Sequence, residues 1–226
     1  TGFRKGEVCV EKTGNACDVN CLARSGLQWL LRGRLYGHGA VNGPPPAEYL
    51  RNPQLGDYAV LTPPPSKSDP FDMVWGGSPI WLPFVLNEPL CAFTSLAAIE
   101  CEDPVSLSAA STTALFTTDG GLPFSASQLD AILRALLLRD MSEQSAKLYS
   151  WHSARIFLAT ALLAAGVQHP EIQAICRWQT PQSLMIYARL GMVEYGNLVN
   201  KALGARVTAA RANNLSAALP FLDWAD

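Results

Sequence analysis

From Ser125 onward the apolar residues of this chain recur at helical spacing, whereas its first third reads as mixed. In "SASQLDAILRALLLRD" Leu129, Ile132, Leu133, Leu136 and Leu137 share one face behind a serine placed to cap. A second helix is expected over 150–166, from Ser150 as N-cap to Gly166 as the residue just past the C-cap. Pro170 and Pro181 sit where a first helical turn tolerates proline, the latter with Thr180 as its cap. That spacing predicts Trp178 in a tight turn between short helices and Tyr187 about two turns into the last of them. The first half reads differently. An apolar centre at 27–31 gives way to the Gly/Pro-rich "GHGAVNGPPPAEYL". Two short strands are then expected at 57–62 and 71–77, joined by "PPPSKSDP" and followed by "PIWLPFVL". The expectation is an α+β fold, mostly α-helical, with a small antiparallel sheet.

With 226 residues and 49% hydrophobic composition, the chain can bury one sizeable core, or one core plus a small appendage. There is no apolar run long enough to cross a bilayer and no opening basic-then-apolar signal segment, which reads as a soluble, intracellular protein. The six cysteines lack repeated CxxC spacing, so buried or idle thiols are expected. His38 lies among glycines and His169 before Pro170, without ligand spacing, so no metal site is expected. Trp29, Trp75 and Trp81 are expected to pack in the core or on strands. The formal net charge of −2 argues against a nucleic-acid partner, whose binding surface is usually basic. The distribution answers that objection. Residues 131–211 hold nine Lys/Arg against four acids, +5, which leaves −7 for the remainder. Any polyanion should meet the C-terminal half.

His152 and Arg155 stand three apart at the start of the 150–166 helix, a spacing that stacks side chains on one face. In a first turn, unpaired backbone N–H groups and the helix dipole already favour an anion. Arginine offers a planar fork to phosphate oxygens, and histidine donates a hydrogen bond or moves a proton. A solvated helix start also looks like this, so the pair needs company. Arg4 and Glu7 in "TGFRKGE" supply a second arginine with a carboxylate able to orient it. Lys67 is the one basic residue of the Pro/Ser connection between the two expected strands, at a tip that could swing over a substrate. Trp178 adds an N–H donor without negative charge, and Tyr187 a hydroxyl.

This ordered set resembles the catalytic domain of the tyrosine recombinase (phage integrase) family. "TGFRKGE" is similar to that family's first-arginine box, "HSAR" to its His-x-x-Arg box as spelled in Cre-like members, and "ICRWQTPQSLMIYARL" to its last segment, in which Trp178 precedes Tyr187 by nine residues. "AAGVQHPEIQAI" has the family's helix-turn-helix look. The resemblance implies a catalytic domain over 1–205, N-terminally incomplete, and a C-terminal tail or helix over 206–226 that either folds back on its own domain or docks on a neighbouring protomer.

The implied activity is site-specific DNA cleavage and rejoining through a 3′-phosphotyrosine, as in an integrase of a mobile element or virus. Tyr187 would attack the scissile phosphate. Arg4 and Arg155 would favour its phenolate and stabilise the transition state, since a tyrosine of ordinary pKa, about 10, is a poor nucleophile at neutral pH. His152 would donate a hydrogen bond or accept the tyrosine proton. Trp178 would donate to a nonbridging oxygen, Lys67 would protonate the leaving 5′-oxygen, and Glu7 would buttress Arg4. The phosphotyrosine stores the bond energy, so no cofactor, metal or ATP is implied. The implied partner is double-stranded DNA, bound by a homo-oligomer, a tetramer, with neither a membrane nor a small-molecule substrate. Its location would be with DNA, in the nucleus of a eukaryote or the cytoplasm and nucleoid of a prokaryote. A type IB topoisomerase, a telomere resolvase and a catalytically silent DNA-binding module are the alternatives.

Overall fold

A computed structural model describes residues 3, 5–10, 21–65, 71, 73, 78–89 and 91–178, all within one compact unit, Thr1–Arg189. In chain order the elements are α1 (Lys5–Val8), β1 (Leu27–Leu31), β2 (Arg34–Gly37), α2 (Ala47–Arg51), β3 (Tyr58–Leu61), β4 (Ile80–Pro83), α3 (Ala92–Glu102), α4 (Ala126–Leu137), α5 (Glu143–Ala146), α6 (Trp151–Ala164) and α7 (His169–Ile175). A 3-10 turn, Arg24–Gly26, leads into β1. The fold is mixed helix and sheet, with the helices concentrated after the strands.

The four strands form one antiparallel sheet in the order β2-β1-β3-β4. Along β1 the side chains alternate, with Leu27, Trp29 and Leu31 buried and Gln28 and Leu30 less so. The two-residue turn Arg32-Gly33 has φ of 52° and 75°, so both residues take the left-handed conformation that suits the twist of a tight hairpin. Arginine is an unusual choice there, and its contacts explain it. The Arg32 backbone N–H donates to Asp57 Oδ1 at 2.8 Å, and the guanidinium donates to the Asn52 carbonyl at 2.7 Å. The same guanidinium lies 4.8 Å over the Tyr49 ring. Asp57 is buried and thereby ties the β1–β2 turn to the start of β3.

One face of the sheet packs on α3. Trp29 meets Phe93 edge-on at 5.2 Å between ring centroids, and Phe84 meets Phe93 at 5.7 Å. Leu22, Leu31, Leu61, Leu96 and Leu115 complete this core. A second, smaller cluster of Ala159, Ile172, Cys176 and Trp178 lies between α6 and the end of α7.

Two expectations change. The partner of β3 comes from "PIWLPFVL" rather than from 71–77, where Phe71 and Met73 lie in turns and are exposed. The register explains the choice: Ile80, Leu82 and Phe84 alternate onto the core cluster. Trp81, between them, faces the other way, half-exposed against Tyr58 of β3 at 5.9 Å, which is the strand packing expected of it. Trp29 is in the core, and Trp75 lies outside the described residues. On α4 only Leu129 is buried, while Ile132 and Leu136 remain exposed. The expected boundary at 205/206, the 206–226 tail and the helix starting at Pro181 lie outside the described residues.

Candidate functional site

The site grows from the two ends of short helices. Ser150 precedes α6, and its backbone N–H donates to Ser153 Oγ at 3.1 Å, which fixes where the helix begins. His152 therefore falls in the first turn and Arg155 one turn further in. The two do not share an exposed face: His152 is exposed, whereas Arg155 is 6% exposed. Burial of a guanidinium requires acceptors. One is the Cys176 carbonyl, to which Arg155 Nη2 donates.

That carbonyl belongs to the C-terminus of α7, where backbone oxygens lack intrahelical donors and the dipole favours a cation. The chain leaves α7 through a Schellman turn. Arg177 N–H bonds Ala174 O at 3.1 Å and Trp178 N–H bonds Gln173 O at 2.9 Å. Trp178, delivered by that turn, is 3% exposed, and the Arg155 guanidinium carbon lies 5.6 Å from the centroid of its ring. Arg155 and Trp178, from separate segments of sequence, thus form one unit. Burial pushes the Cys176 thiol above its ordinary value, with Arg155 pulling the other way.

A cavity of about 390 Å³ opens beside this unit. Phe3, Lys5 and Val8 line it from the α1 side, and Trp151, Ala154 and Arg155 line it from α6. The segment around the expected first arginine and the His-x-x-Arg helix therefore face one space. Glu7, on α1, is buried, and its backbone oxygen accepts from Leu22 N–H at 2.9 Å. Lys5 pairs with Asp130 of α4 at 2.9 Å, which ties α1 to the helical half. Arg4, Lys67 and Tyr187 lie outside the described residues, with Lys67 placed by sequence in the connection between β3 and β4.

Sequence reasoning passed over Arg134, Trp151 and Arg177, each of which buries a side-chain N–H nitrogen without a hydrogen-bond partner. The available signal was the basic residue immediately before Trp178, at a helix end where glycine is usual. Among the described residues, no group of three or more His, Cys, Asp or Glu is placed to hold a metal ion. Among them also, no helix is long and apolar enough to cross a membrane. No family model, curated protein or solved structure matches the chain.

Proposed function

We propose that this chain carries the catalytic core of a DNA-cleaving and rejoining enzyme of the tyrosine recombinase kind. The observation that carries the reading is the convergence at Arg155. Its guanidinium closes on the end of α7 beside Trp178, and its helix faces, across one cavity, the α1 segment that follows Arg4. The reading is supported by Arg155 standing in two of these relations at once, touching Cys176 and Trp178 and lining a cavity that Phe3 and Lys5 also line. The +5 balance of residues 131–211 supports a polyanionic partner for this half.

In this reading Arg155 is held rigidly by the Cys176 carbonyl and the indole, so its fork needs little reordering when a phosphate arrives. His152, exposed one turn earlier, is accessible to a proton in transit. Tyr187 supplies the nucleophile: its phenolic proton passes to His152 as its oxygen forms the bond to phosphorus, and Lys67 gives a proton to the 5′-oxygen as it leaves. The reverse attack by a 5′-hydroxyl restores the phosphodiester and the tyrosine.

The test is covalent trapping. The chain is incubated with nicked duplexes from DNA flanking its gene, and SDS-resistant protein on DNA is sought. The expected product is a 3′-phosphotyrosine adduct that vanishes in Tyr187→Phe and falls by at least ~100-fold in Arg155→Lys, whose ammonium cannot reproduce the fork. DNA binding without any adduct would overturn the catalytic reading and favour a silent binding module. An adduct that persists in Tyr187→Phe would remove the assigned nucleophile.

A further inference from the structure

Among the described residues, five side-chain nitrogens are buried without a hydrogen-bond partner: Arg24 Nε, Arg134 Nη1, Trp151 Nε1, Arg177 Nε and Arg177 Nη1. All five are donors, and four of them belong to the helical segment that carries Arg155 and Trp178. A surplus of one kind only is informative, because a missing partner must then be an acceptor. Two of the four lie on Arg177, the residue between the Cys176 carbonyl that Arg155 holds and the Trp178 indole beneath it.

Arg177 is anomalous in its backbone as well. It occupies the left-handed position of the Schellman turn, with φ of 53°. The chain contains its own control. α6 ends in the same turn, with Gly166 N–H on Leu163 O at 2.9 Å and Val167 N–H on Leu162 O at 3.0 Å, and the equivalent position is Gly166, with φ of 81°. At the end of α7 an arginine accepts backbone strain that glycine would avoid, and it also carries two desolvated N–H nitrogens that no described acceptor meets. Both features oppose folding, so the unliganded protein gives no reason for this side chain.

We propose that Arg177, next in the chain to the Cys176 that Arg155 holds, is an anion-binding residue, and that its ligand is a tetrahedral oxyanion, the phosphodiester of a nucleic-acid backbone. Such a group offers several acceptor oxygens at once, which suits a side chain with two unmatched donor nitrogens, and its charge offsets that of the guanidinium. The identity of the anion as DNA rests on the proposed function. The presence of an oxyanion site at Arg177 does not.

The experiment compares the full chain with Arg177→Gly and Arg177→Lys in two arms. In the first arm, thermal melting is followed in chloride and in sodium phosphate at matched ionic strength. The glycine variant is expected to melt at the same temperature as the parent or higher without phosphate, because the strained position is relieved, and to lose the stabilisation that phosphate gives the parent. In the second arm, affinity for a duplex is measured against salt. Arg177→Gly should bind about ten-fold more weakly, with the slope of log affinity against log salt reduced by about one, while Arg177→Lys keeps the slope. A lower melting temperature for Arg177→Gly in chloride would show that the side chain is structural and overturn the proposal. So would a phosphate shift that is absent in the parent or unchanged in the glycine variant. If the parent responds to phosphate through Arg177 yet does not bind DNA, the oxyanion site stands and the DNA reading falls.

Discussion

Replacing Arg24 by methionine is the most demanding check on how the sheet half is held together. Arg24 sits in the 3-10 turn that feeds β1, and its side chain is 2% exposed. Its Nη1 reaches Glu100 Oε2 at 3.2 Å and its Nη2 reaches Asp103 Oδ2 at 3.1 Å, so one guanidinium spans the C-terminal end of α3. The two partners are unequal, with side-chain exposures of 17% for Glu100 and 61% for Asp103. Losing the exposed partner matters by less than ~1 kcal/mol. Losing the cation opposite a mostly buried carboxylate belongs to the range of ~3–5 kcal/mol, and the remaining solvent contact of Glu100 places it near the lower end.

Arg24→Met should therefore cost about 3 kcal/mol, or roughly 6–12 °C in melting temperature for a chain of this size. Adding Glu100→Gln should recover half of the loss or more, because it removes the stranded charge. Burial holds the Glu100 carboxyl above its ordinary value, outweighing the attraction of Arg24. An acid whose folded pKa is raised binds a proton where the unfolded chain has already lost it. Stability then falls as pH rises from about 4.5 to the folded value, and is flat above it. Glu100→Gln should abolish that fall, and Arg24→Met should deepen it. Urea unfolding followed by far-ultraviolet circular dichroism between pH 4 and pH 8 measures both effects. A loss below about 1 kcal/mol for Arg24→Met, or a double variant no more stable than the single one, would refute the bridge as a structural element.

Two further substitutions test local geometry. Ser125→Ala removes the side chain that accepts from Gln128 N–H at 3.3 Å at the start of α4, and should cost about 1 kcal/mol in urea unfolding. Gly26→Ala would place a Cβ 2.7 Å from the Thr62 carbonyl oxygen, beside the 2.8 Å bond from Thr62 N–H to the Gly26 carbonyl. A cost of about 2 kcal/mol or more is expected in the same assay, because backbone must move to admit the methyl.

Among the described residues, three helix ends were legible from capping chemistry. Ser125, Ser150 and Gly166 stand where sequence placed them, since each meets a local requirement of the backbone alone. The sheet was less legible. The β1–β2 hairpin turns on Arg32-Gly33, which lacks the Asn-Gly signature and depends on Asp57, 25 residues away in sequence. Helix α3 was also passed over, although Phe93, Leu96, Ala97 and Glu100 follow helical spacing, because its face became readable only against the Trp29 surface. At the candidate site, residue types and order were visible in "HSAR" and "CRW". Their division was not: periodicity puts His152 and Arg155 on one face, and only the end of α7, packed against α6, makes one buried and leaves the other in solvent.

The α6–α7 pair keeps its own small apolar cluster, separate from the aromatic core under the sheet. Cys176 and Trp178 belong both to that cluster and to the contacts of Arg155, so the packing of α7 on α6 and the placing of the guanidinium are a single feature. The order of the site therefore depends on Ala159 and Ile172 more directly than on the aromatic residues under the sheet.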